Sequence, residues 1–156
     1  IKVGLIAILF VVGILALAYR KLQIAVPMMF TSLLEIFIML GFASLLPFLS
    51  WTIDLAAIAG IIAAVGTGVN DQIVITDEAL KGEQRRIVSW KEKLKSAFAV
   101  IFGAYFTLVV AMLPLFAVGA GMLRGFALTT IIGMSVGVFI TRPAYAKVIE
   151  ILMERD

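Results

Sequence analysis

The chain has 156 residues, 63% of them hydrophobic and 15% charged, with a net charge of +3 and neither cysteine nor histidine; its mean hydropathy is +1.14. A soluble domain carries about 25% charged residues, so these values exclude one and point to lipid as the main solvent. The missing residue types exclude disulfides, Cys/His metal sites, thiol chemistry and imidazole catalysis, and leave carboxylates to handle any proton.

Five apolar segments reach the roughly 17–25 residues of a spanning helix: 3–19, 24–46, 53–76, 97–118 and 126–146. None alternates in polarity as barrel strands do. The fold class expected is an all-α membrane protein, a polytopic bundle of five transmembrane helices. The chain opens on Ile1 and reads as a piece of a longer protein whose N-terminal part is missing. Lys2 and Arg124 fall on one side of the membrane. Arg20, Lys21, Lys81, Arg85, Arg86, Lys91, Lys93, Lys95, Arg142, Lys147 and Arg155 fall on the other. The positive-inside rule makes the second side cytoplasmic, with the N-terminus outside and the C-terminus inside. Topology thus accounts for the basic residues, and nucleic acid is not an expected partner.

The connections differ in character. Residues 20–23 form a tight cytoplasmic turn. Residues 47–52 form an external one, with Trp51 as an interfacial anchor, and Asp54 then sits at a helix N-terminus, where the macrodipole favours an anion. Over 81–96, Ile87, Trp90, Leu94 and Ala97 recur at helical spacing among basic residues. That pattern predicts a basic amphipathic helix on the inner leaflet, with partner docking as the alternative. Pro114 is placed to kink the fourth span near its external end. Gly119, Gly121 and Gly125 mark a tight external turn.

Ionisable groups inside a bilayer are expensive, about 2.5–3.5 kcal/mol for a central aspartate on insertion scales, so they mark candidate sites. Asn70, Asp71 and Gln72 are consecutive polar residues at membrane depth. Asp71 lies roughly 25 Å along the helix from Asp54, at about 1.5 Å per residue. Ala63, Gly66, Thr67, Asn70, Asp71, Val74, Asp77 and Glu78 share one face, which predicts close helix packing and a hydrated path. Asp71 is the first proton-carrier candidate, and a structural carboxylate is its alternative. Glu35, in the middle of the second segment, is either a second relay site or a structural hydrogen-bonding group. Thr67, Gln72, Asp77 and Glu78 form a secondary polar path, although the two acids also suit a solvated helix end. Gly60, Gly66, Gly68, Gly133 and Gly137 are expected to pack helices, the last two as a small-xxx-small pair. Arg124 belongs to the outer boundary and Arg142, with Pro143, to the inner end of the last helix. The carboxylates are therefore expected to lack a basic partner within the chain, and another subunit is expected to supply one. There is no phosphate loop, nucleophile triad or dinucleotide fingerprint, so neither an enzyme, a cofactor nor a metal site is expected.

The run Ala59-Gly60-Ile61-Ile62 followed by Val65-Gly66-Thr67-Gly68-Val69-Asn70-Asp71-Gln72-Ile73-Val74-Ile75 resembles the fourth transmembrane helix of SecD, particularly archaeal SecD. Lys93-Leu94-Lys95-Ser96-Ala97-Phe98 resembles the entry into the family's fifth helix. Gly119 through Thr129 resembles the external turn and the start of the sixth, which Thr141-Arg142 ends. The resemblance implies that the five spans are helices two to six, with helix one and an extracytoplasmic domain preceding Ile1. It implies membership of the proton-driven resistance–nodulation–division superfamily. The implied role is an auxiliary subunit of the Sec export machinery, acting with SecF beside the SecYE channel on a translocating polypeptide. It also implies a proton-relay position at Asn70, where the bacterial family has aspartate. Asparagine cannot titrate, so Asp71 would take over. The family's Asp-x-Asn falls on Gly103 and Tyr105. Those two departures favour a non-conducting scaffold subunit as the alternative, and a proton-driven small-molecule pump is a third reading.

Overall fold

The computed structural model describes residues 22–45, 54–84 and 89–153, together with Ile6, Phe10 and Gly13, which are helical and exposed. The expected first span, the 47–52 turn with Trp51, and Ile87 otherwise lie outside the described residues. The elements are α1 (Leu22–Leu45), α2 (Leu55–Gln84), α3 (Trp90–Val118), α4 (Met122–Val136), a wide turn over Gly137–Thr141, and α5 (Arg142–Met153). Among the described residues, four helices are long and apolar enough to cross a membrane: Gln23–Phe42, Leu55–Leu80, Trp90–Val118 and Met122–Met153.

The helices outrun the apolar segments that predict them. Hydropathy marks the part in hydrocarbon, whereas Glu, Lys and Gln are good helix formers that extend each helix past it. Residues 81–84 accordingly continue α2, and Trp90–Ser96 open α3. The described residues of 81–96 are thus divided between α2 and α3 rather than forming a separate helix. Asp54 caps α2: the Ala57 N–H donates to Asp54 Oδ1 at 2.7 Å, and the Ile58 N–H donates to the Asp54 carbonyl at 3.0 Å. This satisfies donors that the first helical turn leaves open. Between α3 and α4 the chain reverses at Gly121, whose φ of 56° lies in the left-handed region that glycine enters without steric cost.

α2 is the central helix. It packs against α4 and α5 along rows in which every fourth residue is small or hydroxylated. A Cβ on Gly60 would lie 3.0 Å from the Phe126 carbonyl oxygen and from Thr129 Cβ. A Cβ on Gly133 would lie 2.5 Å from Ala64 Cβ and from Met39 Cε. Further along, Thr76 meets Tyr145, 69 positions later, and the Ala64–Gly133 pair keeps the same interval. Such rows let parallel helices approach closely in lipid, where apolar side chains gain little by associating and packing must hold the bundle. Met28, Ile75, Ala79, Ala97, Ile101, Tyr145, Ala146 and Ile149 close the core at the end where α1 and α3 begin.

The face of α2 that is buried differs from the one expected. Ala57, Gly60, Ala64, Gly68, Asp71, Gln72, Ile75 and Ala79 point inward, while Ala63 and Asn70 are exposed. Gly66 has nothing within 4 Å of a built Cβ and packs against no helix among the described residues. The i, i+3, i+4 rule allows both faces, and the partner rows on α4 select one. α3 is the most peripheral helix. Only Ala97 and Ile101 are buried in it, and Val100, Phe106, Val110, Leu113 and Val118 are exposed. With hydrocarbon as solvent, that exterior is the expected arrangement.

Gly133→Ala forces a methyl against Ala64 and is expected to destabilise the bundle by about 1–3 kcal/mol, as overpacking does. Gly103→Ala on α3, where a Cβ meets open space, is expected to leave stability unchanged or raised. Thermal unfolding of both variants in detergent checks this; equal melting of the two would refute the α2–α4 packing.

Candidate functional site

Three charged side chains from three helices meet in the interior. Glu35 comes from α1, Asp71 from α2 and Arg142 from the start of α5. The Arg142 Nη1–H donates to Glu35 Oε2 at 2.6 Å and to Thr141 Oγ1 at 2.7 Å. The Arg142 Nε–H donates to Asp71 Oδ2 at 3.2 Å. Thr141 Oγ1 shares its proton between Glu35 Oε2 and the Gly137 carbonyl, both at 3.2 Å. The side chains of Glu35 and Arg142 are fully buried, and that of Asp71 is 8% exposed.

The local sequence explains how an arginine arrives there. Pro143 has no N–H, and in a regular α-helix its ring would crowd the Phe139 carbonyl. The backbone instead widens over Gly137–Thr141, and the Arg142 N–H bonds the Gly137 carbonyl five residues back. Such wide turns often mark functional sites. This one also corrects register. Gly133, Gly137, Thr141, Tyr145 and Ile149 are all buried at intervals of four, which a helix of about 3.6 residues per turn rotates out of line by roughly 40° each time. The wide turn absorbs part of that drift. Helical side chains also tilt towards the N-terminus, so Arg142 reaches back to the level of Gly137.

A second polar layer adjoins the charges. Gln72 Nε2–H donates to Thr31 Oγ1 at 2.8 Å. Thr76 Oγ1–H donates to the Gln72 carbonyl at 2.8 Å. Because that hydroxyl proton is committed, the 2.7 Å contact between Thr76 and Tyr145 has the Tyr145 O–H as donor. Three buried atoms in or beside the network have no protein partner: Glu35 Oε1, Arg142 Nη2 and Gln72 Oε1. Buried polar groups are rarely left so, and ordered water is the usual partner.

The structure brings Glu35 and Asp71 together and adds Gln72 beside them. Asn70 points outward, away from the network. Thr67 is part-exposed and donates to the Ala63 carbonyl of its own helix at 2.9 Å. Asp77 and Glu78 are half-buried nearer the end of α2. Gly60, Gly68, Gly133 and Gly137 all make close approaches, but Gly66 does not. The expectation that the carboxylates lack a cation within the chain is overturned by Arg142. Sequence depth follows the Cα, whereas the guanidinium lies a whole turn deeper. Thr31, Thr76, Thr141 and Tyr145 were also not anticipated. The signal that could have found them is the four-residue spacing from Gly133 through Gly137 and Thr141 to Tyr145.

The family described as protein export membrane protein SecD/SecF, C-terminal, matches residues 1–153. The chain belongs to the SecD/SecF family. It is 51% identical over 142 residues to the protein-export membrane protein SecD of Methanocaldococcus jannaschii, covering 91% of this chain and 34% of that protein. It is 51% identical over 154 residues to SecD of Methanothermobacter thermautotrophicus, covering 94% and 37%. It is 32% identical over 140 residues to the protein translocase subunit SecD of the bacterium Petrotoga mobilis, covering 86% and 28%. The chain therefore spans about a third of the length of the curated relatives it matches most strongly. This SecD/SecF membrane domain holds its one buried guanidinium, among the described residues, between two carboxylates.

Removing one partner of a buried ion pair leaves an uncompensated charge and costs about 3–5 kcal/mol. Arg142→Met is therefore expected to destabilise the domain by about that amount. Glu35→Gln and Asp71→Asn each leave one ion pair standing and are expected to cost less. Thermal melts of the three variants order them; an Arg142→Met protein that melts with the wild type would mean the network does not hold the helices.

Proposed function

We propose that the chain forms the membrane domain of a protein-export subunit that carries protons through the Asp71–Arg142–Glu35 network. The single observation that carries this reading is a charge imbalance inside the membrane: two carboxylates share one guanidinium. With both acids ionised the cluster has one uncompensated negative charge in a medium that strongly penalises it. Binding one proton makes the cluster neutral. A site with two accessible charge states at membrane depth is what a proton carrier requires.

The two acids are not equivalent. Glu35 is fully buried and accepts bonds from Arg142 and Thr141. Asp71 is held by one longer contact and is slightly exposed. Asp71 is accordingly the exchanging group, and Glu35 the fixed counter-ion of Arg142. Gln72, Thr31, Thr76 and Tyr145 continue the polar line towards the ends of the helices that the positive-inside rule assigns to the cytoplasm. That orientation, with the fragment's N-terminus outside, is part of the proposal. Asn70 and Gly103 are exposed and lie outside the network. Their lack of a titratable group therefore does not favour a scaffold over a carrier.

The partners proposed are SecF and, beside it, the SecYE channel, with the export of polypeptides driven by the proton gradient. The curated relatives are named for protein export, which supports the process. A part-exposed stripe on α2 supports the helical partner: Ala63 and Asn70 are exposed, Gly66 and Thr67 half-buried, all four are small or polar at membrane depth, and Gly66 has open space beside it. Lipid is a poor partner for such a stripe, and a second helix is a good one.

Asp71→Asn in the full-length protein, reconstituted with its partner, is expected to abolish proton-driven export and the accompanying proton flux while the complex still assembles. Wild-type flux in that variant would sink the carrier role. These 156 residues contain no cysteine, so a single one placed here marks its position. Asn70→Cys is expected to cross-link to a cysteine introduced in a membrane helix of SecF, and Val110→Cys on α3 is not; the reverse pattern would remove the proposed interface.

A further inference from the structure

Arg142 occupies space that two glycines leave open. A Cβ built on Gly137 would run into Nη1 and Cζ of Arg142 and would lie 2.8 Å from Nη2. A Cβ built on Gly68, on α2, would run into Nη2 and would lie 3.0 Å from Cζ and 3.1 Å from Glu35 Oε2. Backbone conformation does not require glycine at either place. Among the described residues only Gly121 has a positive φ, and glycine weakens a helix relative to alanine. Close approach of the guanidinium is what requires it. The planar group is thus held between two helix backbones. Its Nη2, buried and without a hydrogen-bond partner, lies against Gly68. Shape fixes that edge of the group where hydrogen bonds do not.

We propose that Gly68 and Gly137 are positioning residues that form a two-sided slot for the Arg142 guanidinium. The slot sets which nitrogen faces which acid: Nη1 to Glu35 and Nε to Asp71. It thereby maintains the inequality between the two carboxylates. This inference rests on the proton-carrier reading for its functional consequence, but the slot itself is a separate structural claim. It requires a planar, forked cation. A lysine ammonium is a compact point charge on a flexible stem and has no need of the space.

The test is a double-mutant cycle in the full-length complex, read both as thermal unfolding and as proton-driven export. Gly137→Ala with Arg142 present is expected to lower the melting temperature and to reduce export about tenfold or more, since a misplacement near 1 Å can cost that much. In an Arg142→Lys background the same change is expected to cost little further. Gly68→Ala should show the same dependence on Arg142, and Gly103→Ala should show none. Equal cost of Gly137→Ala in both backgrounds would overturn the slot, because the glycine would then serve the backbone alone. A silent Gly137→Ala with Arg142 present would overturn it as well. Coupling seen in melting but absent from export supports the slot and counts against the proton-carrier reading.

Discussion

An arginine in the interior of a membrane bundle constrains everything around it. A guanidinium carries a permanent positive charge. The fold must therefore bring counter-charges to it. Glu35 from α1 and Asp71 from α2 do so, and α5 supplies Arg142 itself. Three helices that have no hydrophobic reason to associate in lipid are thereby tied at one level. The wide turn at Gly137–Thr141, the proline that follows, and the glycines facing the guanidinium are all consequences of placing that one side chain.

The rest of the packing follows from the need for close approach. On α2, Gly60, Ala64 and Gly68 repeat at intervals of four; on α4 and the wide turn, Thr129, Gly133 and Gly137 do the same. Small residues in register bring the backbones together, and a side chain that needs a slot is accommodated where they end. Beyond that level the interior fills with larger groups: Ile75, Tyr145 and Ile149. The aromatic residues of α3 form their own contacts with Phe139, Phe102 at 6.0 Å between ring centroids and Tyr105 at 5.6 Å. Tyr105 also hydrogen-bonds Ser135 at 3.0 Å. Among the described residues, α3 is therefore attached chiefly through its ring-bearing face, and its other side is exposed.

Charge and geometry together shape what such a network can do. In the proposed proton carrier, two acids around one base form a cluster that one proton makes neutral, and the acids differ in burial and in the number of donors that hold them. A symmetric cluster would have no preferred exchanging group. Here the tight Glu35 pair anchors the cation, and the looser Asp71 contact leaves one carboxylate nearer to solvent. The unpartnered atoms at Glu35 Oε1, Arg142 Nη2 and Gln72 Oε1 are the places where water would complete the network.

Much of this was written in the sequence. Composition points to lipid as solvent, and the length of the unalternating apolar runs to an all-α membrane protein. Glu35 and Asp71 stand out because a carboxylate is costly in hydrocarbon. Asp54 was legible as a helix start, and Gly133 with Gly137 as a packing motif. Tertiary structure alone decided three things. It chose which face of α2 is buried, because periodicity permits two neighbouring faces and only the facing row on α4 selects between them. It separated Asp71 from Asn70, which adjoin in sequence but point about 100° apart on a helix. It also moved Arg142 from the apparent end of a helix into its interior, because a long side chain tilted towards the helix N-terminus carries its charge a full turn away from its Cα. The sequence determined which charges the bilayer would have to tolerate. Only the packed bundle determined that two of the acids share one arginine.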